Sequence, residues 1–118
     1  MEILFTIIRF VVAVLTAVTG VYIVLKPESY AKLAEFSAGN ARGKTEVKAI
    51  MGGTFIGLGV APIVLLGAQI SFLFLGIVYL FIAATRIMSI FVDKSLTFTN
   101  LITLLVEIAF GLIMVLPI

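Results

Sequence analysis

The sequence predicts an all-α integral membrane protein, a four-helix bundle of antiparallel up-and-down spans with a short interfacial helix after the first span. Three observations carry that prediction. Hydrophobic residues make up 63% of the chain and charged residues 12%, and the mean hydropathy is +1.33, whereas a soluble domain is about half apolar and about a quarter charged. Four apolar runs each offer about the 20 residues that a helix needs to cross a bilayer. The last two connections between runs are so short that the runs they join must be antiparallel neighbours. The chain is therefore read as one transmembrane domain, residues 1–118, with no room for a large extramembrane domain.

The first run, 3–25, is interrupted by Arg9 alone and stops at Lys26-Pro27, where proline removes a backbone donor and restricts the residue before it. Its length, and Glu2 where a positive segment would precede a signal sequence, predict a retained span rather than a cleaved leader. The charged connection from Lys26 to Lys44 opens with Pro27 and Glu28, both suited to a first helical turn. Tyr30, Leu33 and Phe36 then recur at every third residue around Lys32 and Glu35, the pattern of a short helix lying at the headgroups; a plain surface connector fits equally well. Gly39-Asn40 and Gly43 end it.

Further spans are predicted at 45–66, 70–92 and 96–116, separated by Gly67-Ala68-Gln69 and Asp93-Lys94-Ser95. Lys26, Lys32, Arg42, Lys44, Lys48, Arg86 and Lys94 gather toward one side and only Arg9 toward the other. The positive-inside bias then predicts a multi-pass protein of the cell membrane, such as a bacterial inner membrane, with both termini outside and the charged connections cytoplasmic.

Each span carries a stripe of small or polar residues at helical spacing: Thr6, Arg9, Ala13, Thr16 and Gly20; Glu46, Ala49, Gly53, Gly57 and Ala61; Gly76, Tyr79, Ala83, Arg86, Ser89 and Asp93; Asn100, Thr103, Glu107 and Gly111. Residues three and four apart share a helix face, so these stripes predict one shared interior. Lipid does not drive apolar helices together, and membrane helices pack through small residues that let backbones approach. Gly52, Gly53 and Gly57 are the predicted helix-packing residues, with Gly53-x-x-x-Gly57 read first as a contact within the chain and second as the seam of a homo-oligomer. Pro62 frees the carbonyl of Leu58 and predicts a kink.

With no Cys and no His, the chain lacks thiol nucleophiles, imidazole catalysis and ordinary zinc, haem or iron–sulfur ligation. No catalytic residue, metal site or cofactor is predicted, and a non-enzymatic protein is expected. Nucleic acid is set aside despite the net charge of +2, because the basic residues sit at membrane boundaries rather than on one soluble face. The informative residues are charges at membrane depth: Arg9, Arg86 and Glu107 within spans, and Glu46 and Lys48 at the entrance to the second. A central charge costs about 2.5 to 3.5 kcal/mol on insertion scales, so such residues face the protein interior and pair. At about 1.5 Å per residue Glu107 lies near mid-membrane, within reach of Arg86 from one side and Arg9 from the other. Glu46, Arg86 and Glu107 together predict a cluster gathered by one guanidinium fork. Such a cluster either fixes helix register or lines a cavity that binds a head group or passes a proton.

The run Glu46-Val47-Lys48-Ala49-Ile50-Met51-Gly52-Gly53, followed by Gly57-Leu58-Gly59 and, further on, by Arg86 and Glu107, resembles an uncharacterised bacterial family of small four-span membrane proteins, a domain of unknown function (DUF4345-like). The resemblance covers nearly the whole chain. It implies a four-helix fold with Glu46, Lys48, Gly52, Gly53, Arg86 and Glu107 as its marked positions, and no established activity. The chain departs at Lys48, where the family more often has arginine, and at Met51, where it more often has an aromatic residue; lysine lacks the planar fork of a bidentate donor. The expected role is an accessory subunit of a larger membrane complex or a binder of a lipid-like molecule, with membrane lipids as surroundings. The alternative is a small proton-coupled or cation transporter, whose embedded glutamate would be Glu107.

Overall fold

The computed structural model describes residues 2–37 and 39–116. Among them the regular structure is helical throughout. We number the helices α1 (Glu2–Leu25), α2 (Pro27–Leu33), α3 (Ala41–Val64), α4 (Gln69–Asp93) and α5 (Phe98–Val115). All but α2 are long and apolar enough to cross a membrane, and at about 1.5 Å per residue even α5, with 18 residues, reaches about 27 Å. Their outer faces are apolar, with Ile3, Val18, Phe81 and Phe91 all exposed, as a lipid-facing surface requires. The protein is a multi-pass membrane protein. Its helices gather into two compact units, Phe10–Leu66 on the one hand and the described residues through Arg9 with those from Gly67 onward on the other.

In Phe10–Leu66 the helices meet backbone to backbone. A methyl group on Gly20 would lie 2.6 Å from the Gly52 carbonyl oxygen, and one on Gly59 would collide with the backbone of Ala13 and Ala17. The buried face of α3 is Val47, Gly52, Gly59 and Pro62. This corrects the predicted packing stripe of Glu46, Ala49, Gly53, Gly57 and Ala61. Gly53 and Gly57 are exposed, with nothing within 4 Å of an added methyl group, while Gly52, also predicted to pack, does so.

The reason that Gly52 rather than Met51 joins Val47 on the buried face is local. Val47–Gly52 is a π-helical turn inside α3, and such a turn takes in one more residue than an α-turn. An uninterrupted α-helix would follow Val47 with Met51 on the same face; the extra residue brings Gly52 there instead. Gly53 and Gly57 lie beyond the turn in ordinary α-helix, on another side of it from Gly52 and Gly59. On α1, Arg9, Ala13, Thr16 and Gly20 are buried as predicted, whereas Thr6 is exposed.

Pro27 begins α2 as expected. Edge-to-face contacts of Tyr30 with Tyr22 (6.4 Å) and Phe36 (5.9 Å) hold it against the end of α1. Glu28 pairs with Lys44 in the first turn of α3, and the Lys44 ammonium holds the Glu28 carboxyl below its ordinary value of 4.5. Helix α3 starts earlier than predicted because Asn40 caps it, its Oδ1 accepting from the Gly43 N–H at 2.9 Å. It ends at Val64, where Leu66 and Gly67 take positive φ values of 55° and 73°, a conformation that glycine adopts without a Cβ penalty.

The second unit is built round the α4–α5 pair. Its connection turns at Lys94, which is left-handed (φ 52°), and the Ser95 N–H donates back to Ile90 O at 3.1 Å. Thr97 caps α5 by accepting from the Asn100 N–H at 3.2 Å. Gly76 and Gly111 let the two backbones approach, each carbonyl oxygen lying 3.0 to 3.2 Å from where the other's Cβ would be. Phe72, Leu75 and Met114 are almost completely buried, and Tyr79 stands edge-on to Phe110 at 5.5 Å.

Candidate functional site

The α4–α5 pair brings Arg86 and Glu107 together. Arg86 is late in α4 and Glu107 midway along α5, and because the helices are antiparallel neighbours their polar stripes face one another. Arg86 Nε donates to Glu107 Oε1 and Arg86 Nη2 to Glu107 Oε2, each at 2.8 Å. This is the two-toothed geometry that a planar guanidinium offers a carboxylate. Glu107 is 7% exposed. A carboxylate so withdrawn from water must be paired or else be strongly penalised, and the fork supplies the pairing.

Asn100 extends the network. Its Oδ1 accepts from Arg86 Nη1 at 3.0 Å, and its Nδ2 donates to the Ser95 carbonyl at 2.8 Å. It thus links the guanidinium to the turn between the helices. Asn100 lies on the predicted α5 stripe, seven residues or two turns before Glu107, and that spacing was the signal for its part in the site. The Ser95 carbonyl is a backbone group and left no mark in the sequence.

Of the other predicted site residues, Arg9 and Glu46 have partners other than those predicted. Arg9 is 3% exposed, and its Nε donates to Ile113 O at 3.1 Å while Nη2 donates to Leu116 O. It thereby satisfies carbonyls at the end of α5, which an α-helix leaves without intrahelical donors. Glu46 is exposed and pairs with Arg42, one turn away on its own helix, at 3.7 Å. Lys48 is also exposed.

Beside the Arg86 network runs an open groove of about 670 Å³, a size that suits a small organic ligand. One end is apolar, lined by Ile77, Val78, Phe81 and Ile82; the other is mostly polar, lined by Arg86, Ser89, Asp93, Ser95 and Asn100 with Ile90 among them, and Thr85 lies between. From Ile77 to Asp93 the helix advances about 24 Å, so the lining changes from apolar to polar over a length comparable with that of a lipid tail and its head. No group of three or more metal-ligating side chains exists among the described residues.

The profile of a family described as a domain of unknown function (DUF4345) matches residues 4–117. No match was found among curated proteins or solved structures.

Proposed function

The chain belongs to the DUF4345 family, a domain of unknown function, and we propose that this multi-pass membrane protein is a non-enzymatic binder of a lipid-like molecule. The groove on the α4–α5 pair is the observation that carries this reading: an apolar channel that ends in a polar network held rigid by the Arg86–Glu107 fork. Such a gradient matches an amphiphile, tail toward Ile77 and head toward Asp93. In this role the ion pair positions the groove wall, and the protein works by itself or as an accessory subunit that presents its ligand to a larger membrane complex. The lack of Cys and His supports a role without covalent or metal chemistry.

Transport is the runner-up. It asks Glu107 to exchange a proton or a cation, and the occupation of both its oxygens by Arg86 favours a fixed role instead. The basic residues support an orientation with both termini outside and the charged connections in the cytoplasm of the cell membrane. A cysteine at Ser37, an exposed position, should then react with an impermeant thiol reagent only after the inner face is opened; labelling of intact cells would reverse the orientation.

Native mass spectrometry of protein extracted gently from its own membrane tests the function. The expected result is a discrete small-molecule adduct that disappears in Thr85→Phe, where an exposed groove residue is enlarged to fill the channel. Wild-type protein free of any adduct would overturn the binding reading. A co-purifying polypeptide at fixed stoichiometry would identify the accessory subunit.

A further inference from the structure

We infer that the groove selects an amphiphile with a cationic head, a protonated amine or a quaternary ammonium on an apolar tail; the inference rests on the groove being a lipid-like site. The groove has two charged lining residues, Arg86 and Asp93. They differ in what already compensates them. The Arg86 guanidinium is met by both oxygens of Glu107 at 2.8 Å, so its charge is neutralised inside the protein. Asp93 has no protein cation within ion-pair distance among the described residues, and Lys94, the next residue, is not part of the lining.

The rest of the polar lining, Ser89, Ser95 and Asn100, is neutral. Fork and carboxylate together therefore leave one uncompensated negative charge at the polar end. Asp93 is also the last residue of α4, and a helix C-terminus carries partial negative charge on its final carbonyls. Both effects have the same sign. A phosphate or sulfate head would meet repulsion there, and an uncharged head would gain nothing from the exposed carboxylate. An ammonium head completes the charge balance while its tail lies along Ile77, Val78 and Phe81.

The test uses purified full-length protein in an uncharged detergent and native mass spectrometry with three probes of equal chain length: dodecyltrimethylammonium, dodecyl sulfate and an uncharged dodecyl glycoside. Occupancy by the ammonium probe should exceed that by the glycoside about two- to five-fold, the range expected of one exposed ion pair, and sulfate should bind least. In Asp93→Asn, a change at an exposed position, the ammonium-to-glycoside ratio should fall to about one. Equal binding of all three probes, or a preference for sulfate, with occupancy lost in Thr85→Phe, would overturn the cationic head and leave the groove as a lipid-like site. Binding by none of the probes would overturn both.

Discussion

In Phe10–Leu66 the helices touch through the backbones of Gly20, Gly52 and Gly59; in the α4–α5 pair a glycine contact at Gly76 and Gly111 is joined by a forked ion pair and an asparagine. Both units solve one problem, holding helices together where lipid gives apolar faces no reason to associate. The solutions are not equivalent. A glycine contact fixes how closely two helices approach but leaves nothing polar exposed if they part. A buried ion pair fixes which residues face one another, since any other register strands a charge at a cost of several kcal/mol. Accordingly the unit with the ion pair also holds the groove.

The sharpest break lies in the first unit. Gly59→Leu should destabilise it by about 3 kcal/mol, because the new side chain meets the Ala13 and Ala17 backbone rather than a movable side chain. Gly57→Leu, with nothing within 4 Å of the new Cβ, should change stability little. Thermal unfolding of both variants in detergent, followed by helical circular dichroism, checks the contrast, and equal midpoints would mean that the packing face is misassigned.

In the other unit Glu107→Gln should cost about 2 kcal/mol, less than the roughly 3 to 5 kcal/mol of a fully buried pair, because the Arg86 side chain keeps 28% of its exposure. Combining Glu107→Leu with Arg86→Met should recover much of that loss. A double variant no more stable than the single one would show that the fork acts on more than its own charge balance.

The smallest effect concerns α2. Glu28 has its carboxyl held below 4.5 by Lys44, so the attachment is at full strength above that ordinary value and weakens as pH falls through the lower folded value. The protection factors of α2 amides, with the pH dependence of intrinsic exchange divided out, should fall over that acidic window in the wild type and stay level in Lys44→Gln; a dependence that persists in the variant would assign it to another group.

The spans were legible because their lengths and flanking breakers are written in the residues. The Arg86–Glu107 pairing was legible for a related reason: short connections force antiparallel neighbours, and helical rise then sets the depth of each charge. Two features were not. Arg9 is met by carbonyls of Ile113 and Leu116, groups that every residue carries and no sequence pattern marks. Gly53-x-x-x-Gly57 has the spacing of a packing motif, but spacing does not say which side of a helix meets its neighbour, and the contact is made by Gly52 and Gly59.

The turn at Val47–Gly52 also makes the span tolerant of a change in length. Inserting one residue into an α-helix ordinarily rotates everything beyond it by about 100°, which inside a membrane would swing an entire packing surface into lipid. A π-helical turn confines the surplus to a single loop of the helix, so the lengths of α3 before and after it keep their own alignments. A shorter chain lacking one residue between Val47 and Gly52 would regain ordinary winding and still present Gly52 and Gly59 to α1. The loss of one residue from this stretch of the span should therefore be absorbed without repacking.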